Sequence, residues 1–96
     1  MRNVTVKTQI PIFYLKEGKT FICYTPAFDL AASGDTLEEA GKSFDASYQM
    51  IIEETVKEGT VEEMLQNYGW TKIHNKWAAP QVVGQESKDI QIPVHA

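Results

Sequence analysis

Apolar and polar residues alternate near both ends of the chain, as they do in half-buried strands. One alternating segment spans residues 3–15 and contains Pro11, which suits an edge strand or a bulge. The other spans residues 88–94 and contains Pro93, which again suits an edge. The alternating positions are Val4, Val6, Thr8, Ile10 and Ile12 in the first segment and Ile90, Ile92 and Val94 in the second. We expect the closing strand to lie beside the first one, Val4–Tyr14.

A short apolar run at residues 21–24 predicts a central strand between these two segments. Residues 16–19 before it are typical of a hairpin loop, in which Gly18 is free to adopt a positive φ. Pro26 ends the run because it cannot donate to a ladder, and residues 30–33 then form a further strand-like piece.

From about Thr36 to Glu58 the apolar residues recur at spacings of three and four, which predicts a helix with one buried face. Thr36 and Glu39 form a capping box, in which each side chain accepts from the backbone N–H of the other residue. Gly59 is placed to end the helix in a left-handed conformation. The predicted buried stripe consists of Leu37, Ala40, Phe44, Tyr48, Ile51, Thr55 and Val56.

A second capping box, formed by Thr60 and Glu63, predicts a short helix through about Tyr68. Gly69 follows. Residues 70–73 are compatible with a brief strand, but residues 78–84 have the pattern of a loop, and we expect residues 71–88 to form a loop as a whole.

These elements predict an α+β fold: an antiparallel three- to four-stranded sheet in the order β-β-β-α-(α)-β, with one long helix packed on one face. We expect residues 1–96 to form a single domain. Its core would span residues 3–70, its loop residues 71–88 and its closing strand residues 89–94.

The formal net charge is −4, which disfavours nucleic acid as a direct partner and suits a basic protein. The only cysteine, Cys23, excludes an internal disulfide and indicates a reducing compartment; its strand setting predicts a buried, unreactive thiol. No run approaches the roughly 18–20 apolar residues of a membrane span, and the start of the chain is unlike a signal peptide. We therefore expect a cytoplasmic protein that does not associate with membranes.

No pattern of side chains predicts catalysis, a cofactor or a metal site. The two histidines, His74 and His95, lack metal-ligand spacing to each other and to the cysteine. The serines and the cysteine have no histidine at a spacing that suggests a nucleophile pair. We therefore expect a protein that is not an enzyme.

Residues 24–40 contain the string Tyr-x-Pro-Ala-x-Asp-Leu, followed by Gly-Asp-Thr-x-Glu-Glu-Ala. Its members are Tyr24, Pro26, Ala27, Asp29, Leu30, Gly34, Asp35, Thr36, Glu38, Glu39 and Ala40. This string resembles the HicB-like antitoxin family of small bacterial proteins, as do Gly69–Trp70 and the Ile-x-Ile-Pro-Val segment at residues 90–94. The resemblance covers most of residues 3–70 and the closing strand.

The resemblance implies a partial ribonuclease H-like fold and a role in a toxin–antitoxin system. HicB-like proteins typically neutralise a small basic toxin of the HicA type, which cleaves messenger RNA. Many also carry a C-terminal DNA-binding domain, and we expect this chain to be a stand-alone member without one.

Two alternatives to an antitoxin stay open. One is an orphan HicB-like domain without a toxin. The other is a degenerate ribonuclease H-like hydrolase, in which Asp29, Asp35 and Asp45 would hold Mg²⁺ or Mn²⁺.

The central strand also predicts a binding surface, because Ile22 and Tyr24 lie on the face opposite Phe21 and Cys23. A single long helix covers only one of these faces, and large apolar patches seldom stay solvated. We expect the uncovered part to bind a protein partner, and the chain to form at least a dimer. The residues predicted to bind the partner are Tyr24, Phe28, Asp29 and Leu30.

Overall fold

The computed structural model describes residue 5 and residues 7–95. Three strands come first, then two helices, then a second pair of strands. The elements are β1 (Phe13–Glu17), β2 (Thr20–Thr25), β3 (Leu30–Gly34), α1 (Leu37–Glu58), α2 (Val61–Asn67), β4 (Thr71–Ile73) and β5 (Lys76–Ala78). This architecture confirms the predicted α+β fold, with a three-stranded antiparallel sheet and one long helix on it.

The sheet has the order β1-β2-β3, and both pairs of strands are antiparallel. The first hairpin turns at Gly18, whose φ of 62° confirms the predicted left-handed position. The second connection is a turn at residues 26–29, after which Leu30 pairs with Thr25. Since β2 lies in the middle, β1 and β3 are the two edges of this sheet.

The ends of α1 lie where the sequence predicts them. The Glu39 N–H donates to Thr36 Oγ1 at 3.0 Å, and Gly59 closes the helix with a φ of 72°. The Glu39 carboxylate accepts from the N–H of Asp35 rather than from that of Thr36, at 2.9 Å. The capping box therefore reaches one residue further back than predicted.

The second capping box is wrong. Thr60 has φ −114° and ψ 19°, and its side chain makes no capping hydrogen bond to α2. Gly59 joins the two helices so tightly that the Thr60 N–H donates to the Thr55 carbonyl at 2.9 Å. This bond holds Thr60 away from the extended conformation that an N-cap side chain needs.

The predicted stripe of α1 is buried only in part. Ala40 and Phe44 are buried, and Ile51 and Thr55 are half-buried. The stripe residues that are exposed are Leu37, Tyr48 and Val56. A helix of 22 residues is about 33 Å long, whereas these strands have five or six residues, so α1 extends past the sheet it covers.

Two buried clusters form the core on the helix side of the sheet. The smaller one joins α1 to the sheet through Cys23, Ala40 and Phe44. The larger one lies beside it and includes the turn at residues 26–29, α2 and both tryptophans. Its buried members are Ala27, Phe28, Met64, Leu65, Trp70 and Trp77.

Residues 71–88 are not all loop, which corrects the prediction. Strands β4 and β5 form a hairpin that carries Trp77 into the larger cluster. Its two-residue turn, His74-Asn75, has positive φ at both positions, as a type I′ turn requires. The usual signal for such a turn is Asn-Gly or Asp-Gly, and His-Asn is not a recognised substitute for it, so the pattern did not predict the hairpin.

The closing strand predicted for residues 89–94 is not formed in the single chain. Residues 79–95 have no regular secondary structure, and residues 81–95, which we call the arm, are exposed throughout. The first strand is also shorter than predicted, because residues 7–12 lie outside β1; Val4 and Val6 lie outside the described residues. A strand needs a neighbour to bond with, and in the part of the chain that the structure describes neither segment has one.

Candidate functional site

One face of the three-stranded sheet has no helix over it, and we call it the open face. Strand alternation places on it Phe13, Leu15 and Glu17 of β1, Thr20, Ile22 and Tyr24 of β2, and Ala31 and Ser33 of β3. Its apolar side chains meet across the strands, since Phe13 pairs with Tyr24 and Leu15 with Ile22. The centre of this face is therefore a continuous apolar surface.

The link between β3 and α1 decides which face is left open. Only Asp35 and Thr36 separate the two elements, so α1 folds directly back over the strands from which it comes. A Cβ atom on Gly34 would lie 2.5 Å from the backbone N of Ala40, which shows how closely the first turn of α1 approaches β3. The helix consequently covers the side of Cys23 and Ala32.

The short helix α2 does not cover the open face. It packs against α1, and its buried residues Met64 and Leu65 belong to the larger cluster. Among the described residues, neither cluster includes Phe13, Leu15 or Ile22. Leu15 is 50% exposed, and Phe13 and Ile22 are half-buried.

Tyr24 and Asp29, two of the predicted binding residues, meet at one end of this face. The Tyr24 hydroxyl donates to Asp29 Oδ1 at 3.0 Å. Asp29 adopts a φ of 47°, an uncommon conformation that aspartate tolerates better than most residues. The hydrogen bond to the Asp29 carboxylate raises the pKa of the Tyr24 phenol, because an ionised phenol has no proton to donate.

Phe28 and Leu30, the other two predicted binding residues, lie towards the core. Phe28 is only 6% exposed and stacks on Trp70 with ring centroids 5.4 Å apart. Trp70 in turn donates its indole N–H to the Ala27 carbonyl at 2.7 Å, which fixes the turn that contains Phe28. Leu30 is half-buried and packs against both clusters. In this conformation the side chain of Phe28 is not accessible to a partner. Its packing on Trp70 stabilises the turn at residues 26–29.

The prediction missed the contribution of β1 to this face. Phe13 and Leu15 stand in an apolar run that reads as buried on both sides when the strand is taken alone. Only the register of β1 on β2 shows that they share a face with Tyr24 and Ile22.

Among the described residues, the ionisable side chains form no cluster suited to metal binding. Cys23 is 1% exposed, and burial raises the pKa of its thiol, so it behaves as a small apolar residue of the core, as predicted. Asp29, Asp35 and Asp45 belong to no group that could hold a metal ion; the described residues contain no such group of three or more His, Cys, Asp or Glu side chains.

Comparison with protein-family models, with curated proteins and with solved structures gave no match. The resemblance to the HicB-like antitoxins therefore stays a prediction. Within the described part of the chain, no helix combines the length and the apolar character that crossing a membrane requires.

Proposed function

We propose that this protein is an antitoxin-type binding module that docks a small basic protein on its open face. The observation that supports the proposal is the apolar centre of that face, formed by Phe13, Leu15, Ile22 and Tyr24 and covered by neither helix. Surfaces of this kind, apolar in the middle and polar at the rim, are typical of protein–protein interfaces.

The charges around the open face favour a basic partner. Glu17 lies at one end of β1 and Asp29 at the opposite end of the face, beside Tyr24. The chain as a whole carries a net charge of −4. Acidic groups at the rim would speed the encounter with a basic protein and orient it, while the apolar centre would slow its release.

The HicB-like string suggests what this partner does. In that family the partner is a small basic toxin that cleaves messenger RNA, and the antitoxin binds it without performing chemistry of its own. An open sheet face serves such a role directly, because blocking another protein requires contact area and no catalytic group. The protein and its toxin would both act in the bacterial cytoplasm.

The test is to express the product of the neighbouring reading frame with and without this chain. We expect that product to be small and basic and to arrest growth when expressed alone. Co-expression of the chain should restore growth, and the two proteins should co-purify at a fixed stoichiometry. A neighbouring product that is harmless, or that shows no binding to this chain by calorimetry, would contradict the proposal.

A further inference from the structure

Strand β1 is exposed on three sides: its two faces and its outer edge. α1 packs mainly on β3 and β2, so Tyr14 on the helix side of β1 is 54% exposed and Leu15 on the open face is 50% exposed. The third side is the strand edge itself, whose outward N–H and C=O groups have no strand beside them among the described residues. Exposed edges of this kind tend to acquire another strand.

A groove runs along the helix side of the same strand. It has a volume of about 310 Å³ and lies between β1 and the first half of α1. Its lining is mixed. Ile12, Tyr14, Leu37 and Phe44 supply the apolar part, and the charged residues Glu38, Lys42 and Asp45 also line it. A strand beside β1 would direct every second side chain over this groove.

The arm has the features of a strand that lacks its neighbour. Ile90, Ile92 and Val94 alternate along it, and all three are at least 69% exposed. The arm leaves the body beyond Pro80, and the chain reaches 61 Å along its longest axis. The radius of gyration of the whole chain is 16.6 Å, whereas a compact chain of this length would have about 12.5 Å. The chain is therefore elongated, and the exposed arm is not packed into either buried cluster.

We propose that the arm of a second copy adds to the edge of β1, and that two copies exchange arms reciprocally. One chain carries both complementary parts: an open edge beside a partly apolar groove, and a segment with apolar alternation that is unpaired among the described residues. A two-fold exchange pairs both parts twice and leaves neither arm exposed. The added strand restores the four-stranded sheet that the sequence pattern predicts, with the fourth strand supplied by the partner. The argument does not depend on the proposed function, because it requires no other kind of protein.

Pro93 determines which side of the arm pairs with β1. Along a strand, the backbone N–H and C=O groups of residues i and i+2 point to the same edge. Pro93 has no N–H, so the edge shared by Gln91 and Pro93 is the one better left unpaired. Ile90, Ile92 and Val94 then supply the backbone groups that bond to β1, and their side chains fill the groove. Pro93 on the outer edge also blocks the addition of further strands.

The test compares two full-length variants that add the same charge to neighbouring residues of the arm. Ile92→Glu places a carboxylate in the groove, whereas Gln91→Glu places one on the opposite side of the strand. In sedimentation equilibrium the wild-type chain and Gln91→Glu should form dimers. For Ile92→Glu we expect the dissociation constant of the dimer to rise about 100-fold or more, because each dimer buries two such positions. Circular dichroism should show all three folded, since residue 92 lies outside both clusters.

Hydrogen exchange then identifies the edge that accepts the arm. In the wild type, the β1 amides that point away from β2 should exchange more slowly than in Ile92→Glu, while β3 amides should exchange alike in both proteins. A wild-type chain that sediments as a monomer would overturn the proposal. So would equal dissociation of the two variants, or a change in protection at β3 in place of β1.

Discussion

At the scale of single residues, the hydrogen bond between Tyr24 and Asp29 makes one end of the open face sensitive to alkaline pH. Because folding raises the pKa of the Tyr24 phenol, the bond stabilises the folded state fully below the ordinary tyrosine pKa of about 10. This contribution is lost as the pH rises through the higher pKa of the folded protein. Tyr24→Phe removes the bond and keeps the ring.

We therefore expect the difference in unfolding free energy between the wild type and Tyr24→Phe to shrink as the pH rises above about 10. Urea denaturation at several pH values measures it. Tyr68→Phe, which removes a hydroxyl at another half-exposed site, is the matched control for the loss of a phenolic hydroxyl. In ultraviolet titration, Asp29→Asn should lower the pKa of Tyr24, because asparagine tolerates the left-handed conformation but carries no charge. An unchanged titration would rule out this account of the pair.

Phe44 and Glu53 test which face of α1 is buried. Phe44 is 5% exposed between the helix and the sheet, so Phe44→Ala should cost about 3–5 kcal/mol of unfolding free energy. Glu53 is exposed, and Glu53→Ala should cost less than about 0.5 kcal/mol. Equal denaturation midpoints for the two variants would show that the helix face is wrongly assigned.

The residues that the sequence predicted best act through local chemistry. Gly18, Thr36 and Gly59 fix a turn and two helix ends, and each depends on groups within a few positions of itself. The sequence does not reveal the burial of Phe28, for the opposite reason. Its burial depends on Trp70, 42 positions further along the chain, and no local pattern shows that contact.

At the scale of elements, the approach of α1 to β3 depends on the absence of a side chain at Gly34. A Cβ atom there would press on the backbone of Glu39 and Ala40, which cannot move without shifting the first turn of the helix. Gly34→Ala should therefore cost about 1–3 kcal/mol in denaturant unfolding. Gly84→Ala, for which the added Cβ meets nothing within 4 Å, should be close to neutral. Similar losses for both variants would mean that the close approach does not matter.

The elements also show where sequence patterns stop being informative. Periodicity predicts α1 well because a helix satisfies its backbone hydrogen bonds within itself. An alternating pattern predicts a strand less well. The backbone groups of a strand bond to a neighbouring strand, and the pattern does not identify that neighbour. The arm has the alternation of a strand and is unpaired in the single chain, whereas β4 and β5 pair without a recognisable turn signal.

At the scale of the whole molecule, the helices pack on one side of the sheet and leave the other side uncovered, which is the basis of the proposed binding function. The sequence predicted this division from the apolar residues on both faces of β2, and the register of β1 added Phe13 and Leu15 to the open face. The two proposals use separate surfaces, the open face for a protein partner and the edge of β1 for the arm of a second copy. A partner on the open face need not displace the arm, because the proposed arm side chains fill the groove on the helix side.

Binding by open-face variants is the most direct test of the central claim. Leu15→Glu puts a charge in the middle of the apolar surface, and Met50→Glu puts the same charge on an exposed position of α1, on the other side of the molecule. Calorimetry against the co-purified basic partner should show that Met50→Glu binds like the wild type. Leu15→Glu should bind at least about 10-fold more weakly, as expected when an apolar contact is replaced by a buried charge. Equal affinity for Leu15→Glu and Met50→Glu would contradict docking on the open face.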